Sequence, residues 1–211
     1  MDLSNPIRSV IPAAQGEVLA VLARTEEPLS GRRVADLTDG RVSQKGVNLV
    51  LRALVAAGLV TAEDHPPAKL YRLNRRHLAA NSVAALATLR EQLIDAMQSQ
   101  FETWTVPAWG AWLFGSAARG GGDATSYIDV LIVRPDDVEE GDAEWLGQLE
   151  HLVTGVGEWT GNSCEIVEYA AGEFEALMAR EDRLAADLRS DGVALTAQRL
   201  PQRDRAPRRR R

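Results

Sequence analysis

The sequence predicts an α+β protein built as two modules, and three observations carry that prediction. Helical apolar spacing runs through residues 12–58 and closes on two short strand-like segments, Leu59–Ala62 and Lys69–Leu73. From residue 109 the pattern changes to apolar strands separated by a glycine-rich loop and helical stretches, the order of a mixed sheet flanked by helices. Charge divides near the same place. Residues 1–100 carry 12 basic against 10 acidic side chains, residues 101–200 carry 6 against 19, and the last eleven carry 6 against 1. A slightly basic half joined to a strongly acidic one suits two modules with different partners.

The 211 residues, 45% hydrophobic and 26% charged, exclude a fibrous repeat or long disorder. No apolar stretch reaches the roughly 18 residues of a membrane span, and the start Met1–Pro6 has no basic or apolar leader pattern. The expectation is a cytoplasmic protein with no membrane partner. Cys164 is the only cysteine, which excludes an internal disulfide and a cysteine zinc site. His65, His77 and His151 lie in different segments without metal-ligand spacing. The net charge of −6 argues against a simple nucleic-acid coat.

In the first module, Pro12 suits a helix start, and Val18, Leu19, Val21 and Leu22 form a stripe over residues 12–25. Pro28 ends that helix. Ser30 is an N-cap for a short second helix with Val34, Ala35 and Leu37 inward. After the turn Thr38-Asp39-Gly40, Ser43 caps a third helix with Val47, Val50, Leu51, Leu54 and Val55 at helical spacing, and Gly58 stops it. The segment Glu63-Asp64-His65-Pro66-Pro67 then turns a hairpin.

Helix, short helix, helix, hairpin is the order of a winged helix-turn-helix. The run Val42–Leu54 through Ala57–Val60 resembles the recognition helix of MarR- or ArsR-type regulators, and the resemblance covers about 65 residues. It implies a DNA partner, with Ser43, Gln44, Lys45 and Asn48 at base edges and phosphates and Arg52 on the backbone. Lys69 and Arg72 of the wing would add minor-groove or phosphate contacts. The alternative is a protein-docking module with an ordinary solvated helix face.

Residues 78–101 read as one long helix, with Leu86, Leu89, Leu93, Met97 and Phe101 stepping at three or four and Leu78, Val83 and Ile94 beside them. It would link the modules, form a homodimer seam, or pack on the second module. In that module Trp109–Phe114 is a buried strand and Ile128–Val133 a second one holding a single carboxylate, Asp129. A helix follows at 143–157, a strand at Cys164–Tyr169 and a final helix at about 172–189. A carboxylate in an apolar strand costs folding energy unless it is paired, bound to a metal or at an exposed edge. The glycines and hydroxyl before it, in Gly115-Ser116 and Gly120–Gly122, let a phosphate approach backbone amides. The alternative is a solvated Asp beside a flexible loop.

The segment Leu113-Phe114-Gly115-Ser116-Ala117-Ala118-Arg119-Gly120 through Ser126-Tyr127-Ile128-Asp129-Val130-Leu131-Ile132-Val133 resembles the nucleotidyltransferase superfamily of DNA polymerase β and the minimal nucleotidyltransferases. The resemblance implies that Gly115 and Ser116 cradle the phosphates of an NTP, with Arg119 nearby. It also implies catalytic carboxylates, Asp129 and a residue of a later strand, holding Mg²⁺ (or Mn²⁺) while an RNA, protein or small-molecule hydroxyl attacks the α-phosphate. Glu165 is the candidate for that later carboxylate and Glu168 the second; they fall on opposite faces of a regular strand.

One position departs from the family. Two carboxylates at i and i+2 are expected, and Tyr127 stands at the first. A phenol is a poor Mg²⁺ ligand, so activity is expected to be impaired unless the site is reorganised, for instance by Asp123 reaching in from the loop. The domains expected are 1–76 winged helix-turn-helix, 77–104 linker helix, 105–198 nucleotidyltransferase-like and 199–211 an Arg-rich flexible tail. The leading function is nucleotide transfer. The alternatives are a DNA-binding transcriptional regulator with a degenerate nucleotide-sensing domain and a component of a toxin–antitoxin or defence pair. Trp109, Trp112, Trp145 and Trp159 are read as core.

Overall fold

The computed structural model describes residues 1–180, 182–198 and 200. The expected Arg-rich tail therefore lies almost wholly outside the described residues. The chain divides into two compact units, Met1–Gln92 and Leu93–Arg211. The architecture is α+β, with helices flanking two open sheets.

The first unit opens with a 3₁₀ turn at Pro6–Ser9 and helix α1 at Ala14–Ala23. Strand β1 (Leu29–Ser30) leads into α2 (Gly31–Leu37), where the Ser30 hydroxyl accepts from Arg33 N at 3.1 Å. Helix α3 (Gln44–Ala56) follows, and its cap Ser43 accepts from Gly46 N at 3.2 Å. β2 (Val60–His65) and β3 (Ala68–Leu73) form the hairpin, and β1 adds to it antiparallel in the order β1-β3-β2. Val47, Val50, Leu51 and Leu54 of α3 join Val18, Leu19, Leu22, Val34 and Leu73 in one core. Buried Glu17 accepts from Asn5 Nδ2 at 2.7 Å and pairs with Arg8 at 3.0 Å and Arg41 at 3.5 Å, tying the N-terminal segment to α1. A buried carboxylate needs partners of that kind.

The single helix expected at 78–101 is two helices, α4 (Ala80–Ala87) and α5 (Leu89–Glu102), and the division between the units falls inside α5. At Thr88 the backbone leaves helical geometry, and the hydroxyl donates to Ala84 O and Ala85 O, competing with the helix's own ladder. Val83, Leu93, Met97 and Phe101 are buried within the chain, whereas Leu78 is fully exposed.

The second unit holds β4 (Gly110–Phe114), the four-residue turn of helix α6 (Gly115–Ala118), β5 (Ile128–Arg134), α7 (Ala143–Thr160) and β6 (Cys164–Ala170). Helix α8 (Ala171–Ala179), α9 (Arg183–Asp191) and β7 (Val193–Ala194) complete it. The single helix expected over 172–189 is thus divided: Arg180 is extended, and Asp182 caps α9 by accepting from Leu184 N at 2.7 Å. The sheet order is β6-β5-β4-β7, with β5 and β6 parallel and the other pairs antiparallel. Trp112, Leu131 and Val133 pack on Phe174, Met178, Ala185 and Leu188 of α8 and α9. Trp112 stacks on Phe174 with ring centroids 5.1 Å apart, and Trp104 meets Trp145 edge-on at 5.3 Å. Trp159 is 45% exposed and not core. Among the described residues no helix is long and apolar enough to cross a membrane.

Candidate functional site

Two groups of predicted side chains were located, one in each unit. In the second unit, alternation along β5 puts Asp129 on the same face as Leu131 and Val133. It sits at the end of the strand beside the β4–α6 turn, with Phe114 as its antiparallel partner and Glu165 as its partner on parallel β6. Two carboxylates are thus neighbours across adjacent strands. Burial, and next the charge of Glu165, hold the Asp129 carboxyl above its ordinary 3.8, with Arg119 acting in the opposite direction. Cys164 is pushed up to about 12, by burial first and then by Asp129 and Glu165, so its thiol stays protonated. Glu168 is turned the other way: it accepts from Arg134 Nε at 2.8 Å and from Trp145 Nε1 at 3.2 Å.

Gly115 has φ of +71°, and a Cβ there would lie 2.3 Å from Asp129 Oδ2, so only glycine lets the turn approach the carboxylate. The loop closes back on Ser116, whose carbonyl accepts from Gly121 N at 2.8 Å. At Gly122 a Cβ would stand 3.3 Å from Ser116 Oγ and from Ser126 Cβ, so this glycine serves the closure of the loop itself. Arg119 is exposed and paired with Asp191, at the end of α9, at 3.5 Å.

The Mg²⁺ or Mn²⁺ site expected at Asp129 and Glu165 is overturned. Among the described residues there is no group of three or more His, Cys, Asp or Glu side chains that could hold a metal ion. The reason lies in the remaining positions. Tyr127 is 53% exposed and brings a phenol where a carboxylate is needed. Asp123, the loop candidate, is engaged in its own turn: its Oδ1 accepts from Thr125 N at 2.9 Å, Thr125 Oγ1 at 2.8 Å and Ser126 Oγ at 3.1 Å. Those bonds hold its carboxyl below the ordinary value.

In the first unit, α3 turns Val47, Val50, Leu51 and Leu54 into the core, which sets Lys45, Leu49, Arg52 and Ala56 on the opposite face. Ser43 caps the helix. Gln44 and Asn48 are exposed but joined, with Gln44 Nε2 donating to Asn48 Oδ1 at 3.2 Å, and they lean towards α2, where a Cβ at Gly31 would meet Asn48 Oδ1 at 2.8 Å. Arg52 Nε donates to Asn48 O at 3.2 Å. Lys45 and Arg52 form no ion pair among the described residues. The hairpin cations are compensated: Lys69 pairs with Asp64 at 3.4 Å and Arg72 with Glu63 at 2.9 Å. Arg32 and Arg33, which no sequence pattern singles out, directly follow Gly31, are exposed and are likewise free of ion pairs among the described residues. Leu49, equally unmarked in the sequence, is 63% exposed in the middle of the outward face.

No protein-family model, curated protein or solved structure matches the chain.

Proposed function

We propose that this chain is a DNA-binding regulator, in which a winged helix-turn-helix reads duplex DNA through α3 and a nucleotidyltransferase-like unit holds a nucleotide without transferring it. The observation that carries the reading is the outward face of α3. It presents Lys45 and Arg52 without acidic partners among the described residues, on a helix anchored by a closed core, and the exposed Arg32 and Arg33 directly follow Gly31, which lies close to α3. Cations in that state attract phosphates and release counterions on binding. The nucleotide half of the reading rests on the resemblance of the Gly115-Ser116 turn and on Arg119 beside it. It stops short of transfer because the expected carboxylate set is reduced to Asp129 and Glu165.

The test is fluorescence anisotropy of the full chain on duplexes it enriches from a random-sequence pool, over a salt series. Log affinity is expected to fall linearly with log salt, and Lys45→Ala and Arg52→Ala each to reduce the slope by about 1. Added ATP or GTP is expected to change the affinity, and Arg119→Ala to remove that effect. Absence of binding at about 50 mM salt, where phosphate contacts are strongest, would overturn the DNA reading.

A further inference from the structure

Leu49 faces away from the core that α3 packs on. It lies two residues beyond fully buried Val47, roughly 200° round the helix. Yet it is a large apolar side chain in contact with water, on a helix that already has a complete apolar ridge in Val47, Val50, Leu51 and Leu54. Its neighbours on the outward face are Lys45 one turn before and Arg52 one turn after. The face therefore reads cation, apolar group, cation.

The spacing of that series matters. Seven residues separate Lys45 from Arg52, about 10.5 Å of helix rise, and an α-helix lies lengthwise in the roughly 12 Å wide major groove of B-DNA. With this face on the groove floor, the apolar group meets the base edges while the long cationic side chains on either side of it reach the flanking phosphates. The one apolar group on the major-groove floor is the thymine C5-methyl. A protein partner would also cover Leu49, but it would have to match two uncompensated cations at that separation, and duplex DNA supplies the two negative strands as part of its own geometry. Gln44 and Asn48, the polar side chains expected to read bases, are engaged with each other, which leaves Leu49 as the unengaged side chain nearest the centre of the face.

We infer that Leu49 is a specificity-determining residue that packs on a thymine methyl, so that the preferred duplex carries a thymine opposite the middle of α3. The inference rests on the DNA reading above and deepens it. The experiment replaces each thymine of the enriched duplex in turn by deoxyuridine, which removes only the C5-methyl, and measures full-length wild type and Leu49→Ala. Leu49 is exposed and alanine favours helix, so the variant keeps the fold. One deoxyuridine is expected to weaken wild-type binding about fourfold, the worth of one buried methyl-sized group. The same change is expected to leave Leu49→Ala unaffected, a non-additive cycle that marks direct contact. Lys45→Ala should weaken all duplexes alike. Salt-sensitive wild-type binding with no deoxyuridine penalty, or with the same penalty in Leu49→Ala, overturns the role of Leu49 alone. Absence of salt-sensitive binding removes the DNA reading and this inference together.

Discussion

Asp129 binds its proton more tightly in the folded chain than in the unfolded one, because burial and the neighbouring Glu165 both disfavour its charge. Between the ordinary value of 3.8 and the raised folded value, the folded state therefore holds more protons. The stabilising contribution of this group is complete below the ordinary value and is lost as pH rises through the folded one. At neutral pH the ionised side chain opposes folding. Asp129→Asn, which keeps the shape and removes the charge, is expected to raise the melting temperature by roughly 1–2 °C at about pH 7, the small size reflecting solvent screening of a partly exposed group. Near pH 3 the difference should vanish. Melting curves across that pH range check it, and a lower melting temperature at neutral pH would show that Arg119 outweighs Glu165 and burial.

Helix α3 depends on its N-cap in two separable ways. The Ser43 hydroxyl satisfies Gly46 N, so Ser43→Ala is expected to cost about 1 kcal/mol of stability in urea unfolding. Ser43→Asp keeps a capping oxygen and adds negative charge at the proposed DNA face. It should retain stability yet weaken DNA binding about tenfold, by repulsion from phosphate. Binding unchanged in Ser43→Asp would move the DNA contact away from this end of α3. The cap and the spacing of Val47, Val50, Leu51 and Leu54 make α3 legible from sequence, as the Pro-containing turn does for β2 and β3. Two-residue strands such as β1 and β7 are illegible, because partners remote in sequence rather than local preference create them. The break at Thr88 is hidden because apolar spacing continues across it. In the candidate site, Asp129 stands out because a carboxylate in an apolar run is costly. Its neighbour Glu165 becomes definite only with the parallel register of β5 and β6. Arg32 and Arg33 become relevant only through the contact of Gly31 with α3. The metal expected at Asp129 and Glu165 lacks a third ligand, because Tyr127 brings a phenol and Asp123 is held by local turn bonds that no spacing rule reveals.

Each unit has a hydrophobic core of its own. Leu51 is fully buried in the first core. Leu51→Ala is expected to remove about 2–5 kcal/mol from that unit through lost apolar contact and a residual cavity. The measurement is the urea transition of ellipticity at 222 nm, and an unmoved midpoint would mean that the core had refilled the space. The tryptophans add something to such experiments. All five, Trp104, Trp109, Trp112, Trp145 and Trp159, belong to the unit Leu93–Arg211, and Met1–Gln92 has none. Intrinsic indole emission thus comes only from the second unit, while ellipticity sums both. If the ellipticity midpoint moves and the emission midpoint stays, the loss belongs to the half that carries α3, and no label has to be attached to either half to learn it.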